Sequence, residues 1–570
     1  MNMKKLFVIF TIYISSLANL PAVPLPTILS ESDMETYERI FDLQSRGRWD
    51  AAKRLESKVE NNILMGDVLY ERYMSKTYVS SGAELTEWMK NHHAHPGAEI
   101  IHKLAKRKKA TTRKPSLPEP ASIRRESGVF NESWTTKKYH GTTGRQVGQF
   151  RSALKRRDMQ TVVNIMNNAD FKKNVSNMCY GRLAGRLAFI AYNGGQFEIA
   201  DEWGRLASGR GSEFGTWTMG LMSYKKEDYK TAQYYFEKML DLDHINTNRK
   251  VEAAFWAGRS AERANSSRAA RRHWRWAMET RPASFYGAMS AAMLGREPRY
   301  KFYDSDVTKN DIAELMKTRY GMTALALLQV DKPEMAERHL RHLITDKSSD
   351  NLIHAVHALA VSEELPRTML SVAPVIRDRG ILEIDQNVIL SAQFPLPQWE
   401  PRGGWNIDRA LLFAIARQES RFKANAKSHA GATGLLQLMP GTARITAVKS
   451  GIRMSSLDLT NPEDSMFLGQ QHVLDLFALE NVDNNIIKML ASYNAGNGRL
   501  RAFERRFETD DPLLYIESFP AHETRDYIKK VMSNLWLYRA RLGQPMSNLS
   551  ELASGRWPHY ASYDDYAARR

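Results

Sequence analysis

The 570-residue chain has a single cysteine, Cys179. One thiol closes no disulfide within the chain and cannot build a cysteine-rich metal site, so packing must hold the fold together. Long apolar runs are missing too. The N-terminus carries a short one, Leu6 to Ile14, after Lys4 and Lys5 and before the small residues Ser16 and Ala18. That pattern predicts a secretory signal peptide over residues 1–18, too short for a comfortable membrane span, and hence no integral membrane segment once it is removed. No cysteine lies near the predicted cleavage point, which excludes lipid attachment to a new N-terminal cysteine.

Acidic residues are in deficit: 64 Asp and Glu face 81 Lys and Arg, a formal charge of +17. Between Lys103 and Arg145 there are 12 Lys/Arg and 3 Asp/Glu. A basic exported protein suits an anionic wall polymer or an acidic membrane surface. Nucleic acid is not expected as a partner, because no basic-aromatic recognition motif is present.

Strand-like alternation is scarce, and helical spacing dominates from about residue 30 to 370. "GRWDAA" (Gly47 to Ala52), "GQFEIA" (Gly195 to Ala200) and "EDYKTA" (Glu227 to Ala232) each set an aromatic three residues before an alanine. "DKPEMA" keeps the alanine at Ala336, and "RANSSRAA" ends on Ala270. Small residues let helices approach closely, and a period of roughly 34 residues is that of stacked helix–turn–helix repeats. The reading is an all-α-dominated chain: an α-superhelical solenoid over 30–375, with a concave face suited to binding. A basic, Pro- and Ser-rich insertion at about 106–145 is expected to be mobile. A linker region over 376–405, a compact helical domain over 406–545 and a flexible tail over 546–570 complete the layout.

The last domain opens with a helix whose apolar stripe runs Leu412, Ile415, Ala416 and then Glu419. Asn406 or Asp408 can cap it. A carboxyl on a buried stripe should have a raised pKa, and one still protonated near neutral pH can donate a proton to a leaving oxygen. "GATGLLQLMP" then supplies Gly431 and Gly434 for tight backbone, the Gln437 amide and the soft apolar Met439. "ASYNAGNGR" adds Tyr493, Asn494 and Gly496. A ring and amides suit an N-acetylated sugar, though also any loop or core.

In order, Glu419-Ser420, Gly434-Leu435-Leu436-Gln437, Tyr493-Asn494-Ala495-Gly496 and "ESFPAHETRDY" (Glu517 to Tyr527) resemble the soluble lytic transglycosylases, bacterial murein-cleaving enzymes. "SSGAELTEWMKNHHAHPGAEIIHKLAKR", "VEAAFWAGRSAERANSSRAARRHWRWAMETRPASFYGAM" and "FPLPQWEP" extend the resemblance upstream. The resemblance implies a ring-type α-superhelix followed by a lysozyme-like, α+β but mostly helical catalytic domain. It implies Glu419 as the sole catalytic acid/base, with Ser428, Gln437, Met439, Tyr493, Asn494, Glu523 and Tyr527 lining or supporting a glycan groove. Leu436, Ser492 and His522 depart from the family's usual residues, and His522 leaves that groove wall in question.

Also implied are a periplasmic location, peptidoglycan strands as substrate, no metal or cofactor, and cell-wall synthesis or division proteins as candidate partners. The implied reaction cleaves the MurNAc–GlcNAc β-1,4 bond and leaves a 1,6-anhydro-MurNAc end. The next Asp or Glu after Glu419 is Asp458, which suits a scheme with one carboxyl rather than two. A hydrolysing muramidase and a non-catalytic peptidoglycan-binding scaffold remain open alternatives.

Overall fold

The structure is a computed structural model describing residues 24–123, 139–302, 306–381 and 386–564. The expected signal peptide at 1–18 lies outside the described residues, as does 124–138 of the basic insertion. Regular structure is helical as expected. Among the described residues the β component is three isolated bridges, Lys427↔Thr433, Thr433↔Leu438 and Asn485↔His559. The chain forms two compact units, one from Met1–Ser122 with Tyr303–Pro395, the other from Ile123–Phe302 with Leu396–Arg570.

The recurring alanine motif marks a specific turn. Gly47, Gly195, Glu227, Asn265 and Asp331 all have φ between 51° and 78°. The next residue in each case donates its N–H five residues back: Arg48 to Leu43, Gln196 to Ala191, Asp228 to Ser223, Ser266 to Ala261, Lys332 to Leu327. This is a Schellman helix end. That same residue is the N-cap of the following helix, at Trp49, Phe197, Tyr229, Ser267 and Pro333. One residue thus ends one helix and starts another, which forces a tight helical hairpin. The alanines at 52, 200, 232, 270 and 336 are fully buried where the two helices close.

The first unit is stitched from two distant chain segments. The Gln329 side chain accepts the N–H groups of Ile28 at 2.8 Å and Leu29 at 3.0 Å. Buried Asp67 sits 3.0 Å from both His95 Nε2 and His339 Nε2. The linker region is not all loop, since it contains the helix Gln386–Gln393.

In the second unit, successive helices from Asn177–Tyr192 to Phe285–Met293 pack neighbour on neighbour. The segment after Leu396 docks on them through a buried charge network. Lys529 Nζ lies 2.8 Å from Glu252 and 2.9 Å from Glu517, and Glu517 accepts the Tyr286 hydroxyl at 2.5 Å. Arg249 joins Glu252 at 2.5 Å and Glu213 at 2.9 Å. Beside the network, Phe285 stacks on Trp536 with centroids 5.2 Å apart.

Two expectations need correction. The insertion's end is helical, since Gly141–Arg156 is one helix. The tail is not frayed through Asp564: it forms the helix Ser547–Ala553, and the Tyr560 carbonyl and N–H bond to the Asn484 side chain and backbone carbonyl. Buried Leu549 and Leu552 and the stacking of Tyr560 on Phe477 hold it alongside these polar contacts.

Breaking a buried ion pair from one side leaves an uncompensated charge, which costs about 3–5 kcal/mol. Lys529→Met should therefore lower the unfolding free energy by about that amount in denaturant titration. A loss below about 1 kcal/mol would show that the network is hydrated rather than buried.

Candidate active site

The helix Arg409–Glu419 buries Leu412, Ile415 and Ala416 as its periodicity predicts. Asp408 caps it, accepting the Ala410 N–H at 3.1 Å. The Asp408 N–H donates to the Tyr560 hydroxyl at 2.8 Å, and the Arg409 N–H to the Asp564 carboxylate at 3.0 Å. The helix end is thus satisfied largely from the tail, as the orphan N–H groups of a buried helix start require.

The long helix His522–Arg541 lies antiparallel to this one and is zipped to it at three levels. Asp408 and Arg539, both fully buried, pair at 3.2 Å. In the middle, Arg417 donates to Asn534 Oδ1 at 2.9 Å, and Asn534 donates to the Ala414 carbonyl at 3.4 Å. At the far end Tyr527 turns its hydroxyl toward Glu419. That buried hydroxyl closes no fully formed hydrogen bond.

Burial pushes the Glu419 carboxyl up to about 7, with the Tyr527 hydroxyl opposing the rise and the charge of Glu523 adding to it. Desolvation dominates, as for a carboxyl in a poorly hydrated pocket. Ser420 ends the helix, and Arg421 and Phe422 then adopt left-handed φ of 51° and 59°. Such backbone strain is tolerated where the surroundings over-determine it. Buried Phe422 anchors this turn.

The loop after it is held by its two bridges and by Gln437, whose amide donates to the carbonyls of Gly434 at 2.8 Å and Ala426 at 3.2 Å. The Gln437 nitrogen is therefore committed to the loop. Gly434 has φ +86°, and a Cβ there would meet the Leu459 carbonyl oxygen at 2.2 Å. Only glycine fits.

Tyr493 donates to the Leu436 carbonyl at 2.6 Å, tying the helix Ile486–Ala495 to this loop. Its ring lies nearly parallel to Tyr527, with centroids 6.3 Å apart. Burial and the Glu419 charge both push its phenol up. Asn494 accepts the Thr524 hydroxyl at 2.7 Å, which leaves its NH2 for a ligand.

Glu419, Tyr493 and Tyr527 therefore converge, with Glu523 exposed at the rim and Asn494 tied in through Thr524. Ser428 is exposed and its Oγ accepts the Ala432 N–H at 3.0 Å. Met439, 44% exposed, is the N-cap residue of the helix Pro440–Lys449. Sequence reading missed His472, whose ring lies 5.4 Å from that of Tyr493. Burial lowers its pKa to about 4, so it is neutral near pH 7. It sits in no motif, and nothing in its helix spacing marks it.

Among the described residues one group, in the first unit, has ligand geometry: Asp67, His95 and His339 offer atoms within 4.8 Å of one another. His95 Nδ1, however, accepts the Gly97 N–H at 2.9 Å. A neutral ring then carries its proton on Nε2, facing Asp67, where a metal would need a lone pair. The cluster fits a hydrogen-bonded clamp better than a metal site.

Residues 400–515 match the family described as Transglycosylase SLT domain. The chain is 35% identical over 156 residues to the soluble lytic murein transglycosylase of Salmonella typhimurium, covering 26% of this chain and 23% of that protein. The Escherichia coli protein of the same name is also 35% identical over 156 residues, covering 27% and 24%. The matched segment spans about a quarter of the length of these relatives. The X-ray structure of an inactive mutant of the lytic transglycosylase Slt from Pseudomonas aeruginosa covers 90% of this chain and 87% of its own. Its TM-score of 0.56 at 19% identity is a likeness of fold.

Replacing Glu523 by Gln removes the neighbouring charge that raises Glu419. Glu419 should then titrate at lower pH, while Tyr527→Phe should move it higher. NMR titration of carbon-13-labelled glutamate reads both, and equal midpoints in all three proteins would refute this electrostatic account.

Proposed function

From a chain whose residues 400–515 match the Transglycosylase SLT domain family, we propose that it is a lytic transglycosylase that cleaves the MurNAc–GlcNAc β-1,4 bond of peptidoglycan. In this reading 30–375 serves as the superhelical domain and 406–545 as the catalytic domain, acting in the periplasm after export. The observation that carries it is the Glu419 carboxyl, raised to about 7 by burial beside the open Tyr527 hydroxyl.

Protonated Glu419 gives its proton to the bridging oxygen as the C1–O bond of MurNAc breaks. The sugar's own acetamide stabilises the developing positive charge. Glu419, now a carboxylate, takes the proton from the 6-hydroxyl of the same sugar as that oxygen bonds to C1. The product end is 1,6-anhydro, no water is consumed, and the acid is regenerated. The nucleophile is already tethered, so little entropy is lost in reaching the transition state. Glu523 is exposed at the rim, and the scheme asks nothing of it as a second catalytic carboxylate. Tyr493 and Tyr527 wall the acid, the Asn494 NH2 suits an acetamide oxygen, and Ser428, Gln437 and Met439 belong to the loop forming the other groove wall.

Mass spectrometry of muropeptides released from purified sacculi tests this. The protein should release products one water lighter than hydrolytic ones, and Glu419→Gln should release none. Reducing-end MurNAc would make it a muramidase, and no release by either protein would make it a scaffold. Because the acid must be protonated, turnover should fall about tenfold per pH unit above a midpoint near 7. A pH–rate profile flat into the alkaline range would exclude Glu419 as the proton donor.

A further inference from the structure

The helix Ser267–Thr280 contradicts the electrostatics of its own secondary structure. It buries Ala270, His273, Trp274 and Ala277 on one face. The opposite face presents Arg268, Arg271, Arg272 and Arg275, all exposed. Their three- and four-residue spacings make four like-charged neighbouring pairs, each destabilising by a few tenths of a kcal/mol. The first turn has no acidic residue, and the N-cap Ser266 makes no side-chain cap bond. Positive charge there also opposes the helix dipole.

None of the four guanidinium groups has an ion pair or ring contact among the described residues. Glu279 is exposed one turn beyond Arg275 and pairs with none of them. On the helix Tyr229–Leu240, Glu237 is engaged by His273 at 2.8 Å. At the edge of the arginine stripe Trp276 is 41% exposed. Repeated local conflict without internal compensation is expected where a surface is shaped for a partner.

We infer that this stripe is a docking surface for the carboxylate-bearing peptides of peptidoglycan, with Trp276 offering a face to an adjacent sugar. The helix carries arginine and no lysine. The planar guanidinium fork binds carboxylates in a bidentate manner that an ammonium cannot match. The exposed face lacks the aliphatic side chains that would anchor a helix in a lipid surface. The inference rests on the proposed function for its choice of anionic polymer. It assigns a holding site on the solenoid, separate from the cleft around Glu419.

The test is pelleting of the full-length chain with purified sacculi, in a Glu419→Gln background so that nothing is digested. Arg271→Gln with Arg275→Gln should weaken binding about tenfold, by the loss of two charge-assisted contacts. The same pair changed to Lys should lose part of that affinity. The Gln variant should melt at a higher temperature than its parent, because repulsion is relieved. Amidating the sacculus carboxylates should abolish the arginine-dependent share of binding. Unchanged affinity in the Gln variant overturns the inference. So does arginine-dependent binding to phosphatidylglycerol vesicles that exceeds binding to sacculi. Arginine-dependent binding, with the parent that keeps Glu419 releasing no muropeptide, would sustain this site while sinking the catalytic reading.

Discussion

The geometry of the candidate site depends on one buried ammonium. Lys529 sits between Glu252, from the solenoid segment, and Glu517, from the segment that carries the site. Burial pushes the Glu252 carboxyl up, and Lys529 and Arg249 together drive it below the ordinary carboxylate range. Two residues apart on a helix point to nearly opposite sides, so Lys529 and Tyr527 face different neighbours. Fixing Lys529 against the solenoid therefore fixes the rotation of the helix His522–Arg541. Glu523 and Tyr527, four residues apart on one face, are turned toward Glu419 by the same constraint.

That arrangement separates two uses of burial. Around Lys529 the carboxylates of Glu252 and Glu517 lie at 2.8 and 2.9 Å and Arg249 reaches Glu252 at 2.5 Å, so opposite charges in hydrogen-bond reach lock the fold. Around Glu419 no ion pair to the carboxyl is found among the described residues, and the charge acting on it is the like-signed Glu523. Paired charges give rigidity; an unpaired carboxyl gives a proton that can be released.

The periodic features were legible in the sequence. Leu412, Ile415, Ala416 and Glu419 fall on one stripe because a regular helix repeats its surface every few residues. The solenoid alanines announced themselves for the same reason. The turns between those helices did not, because the left-handed position is filled variously by Gly, Glu, Asn and Asp. His472 joins Tyr493 through a contact between two helices that no local spacing encodes. Asp408 was readable as a cap, yet its partner Arg539 lies 131 residues away. The role of Tyr560 and Asp564 was invisible because they act on backbone N–H groups, which every residue but proline offers.

Those last contacts bear on when the site comes into being. The N-terminus of the Glu419 helix is completed by side chains 152 and 155 residues further along the chain. A polypeptide is made from its N-terminus. An emerging chain thus exposes the glutamate long before the groups that seat its helix. The start of its helix is seated only after the tail has followed, so this corner of the fold is completed late.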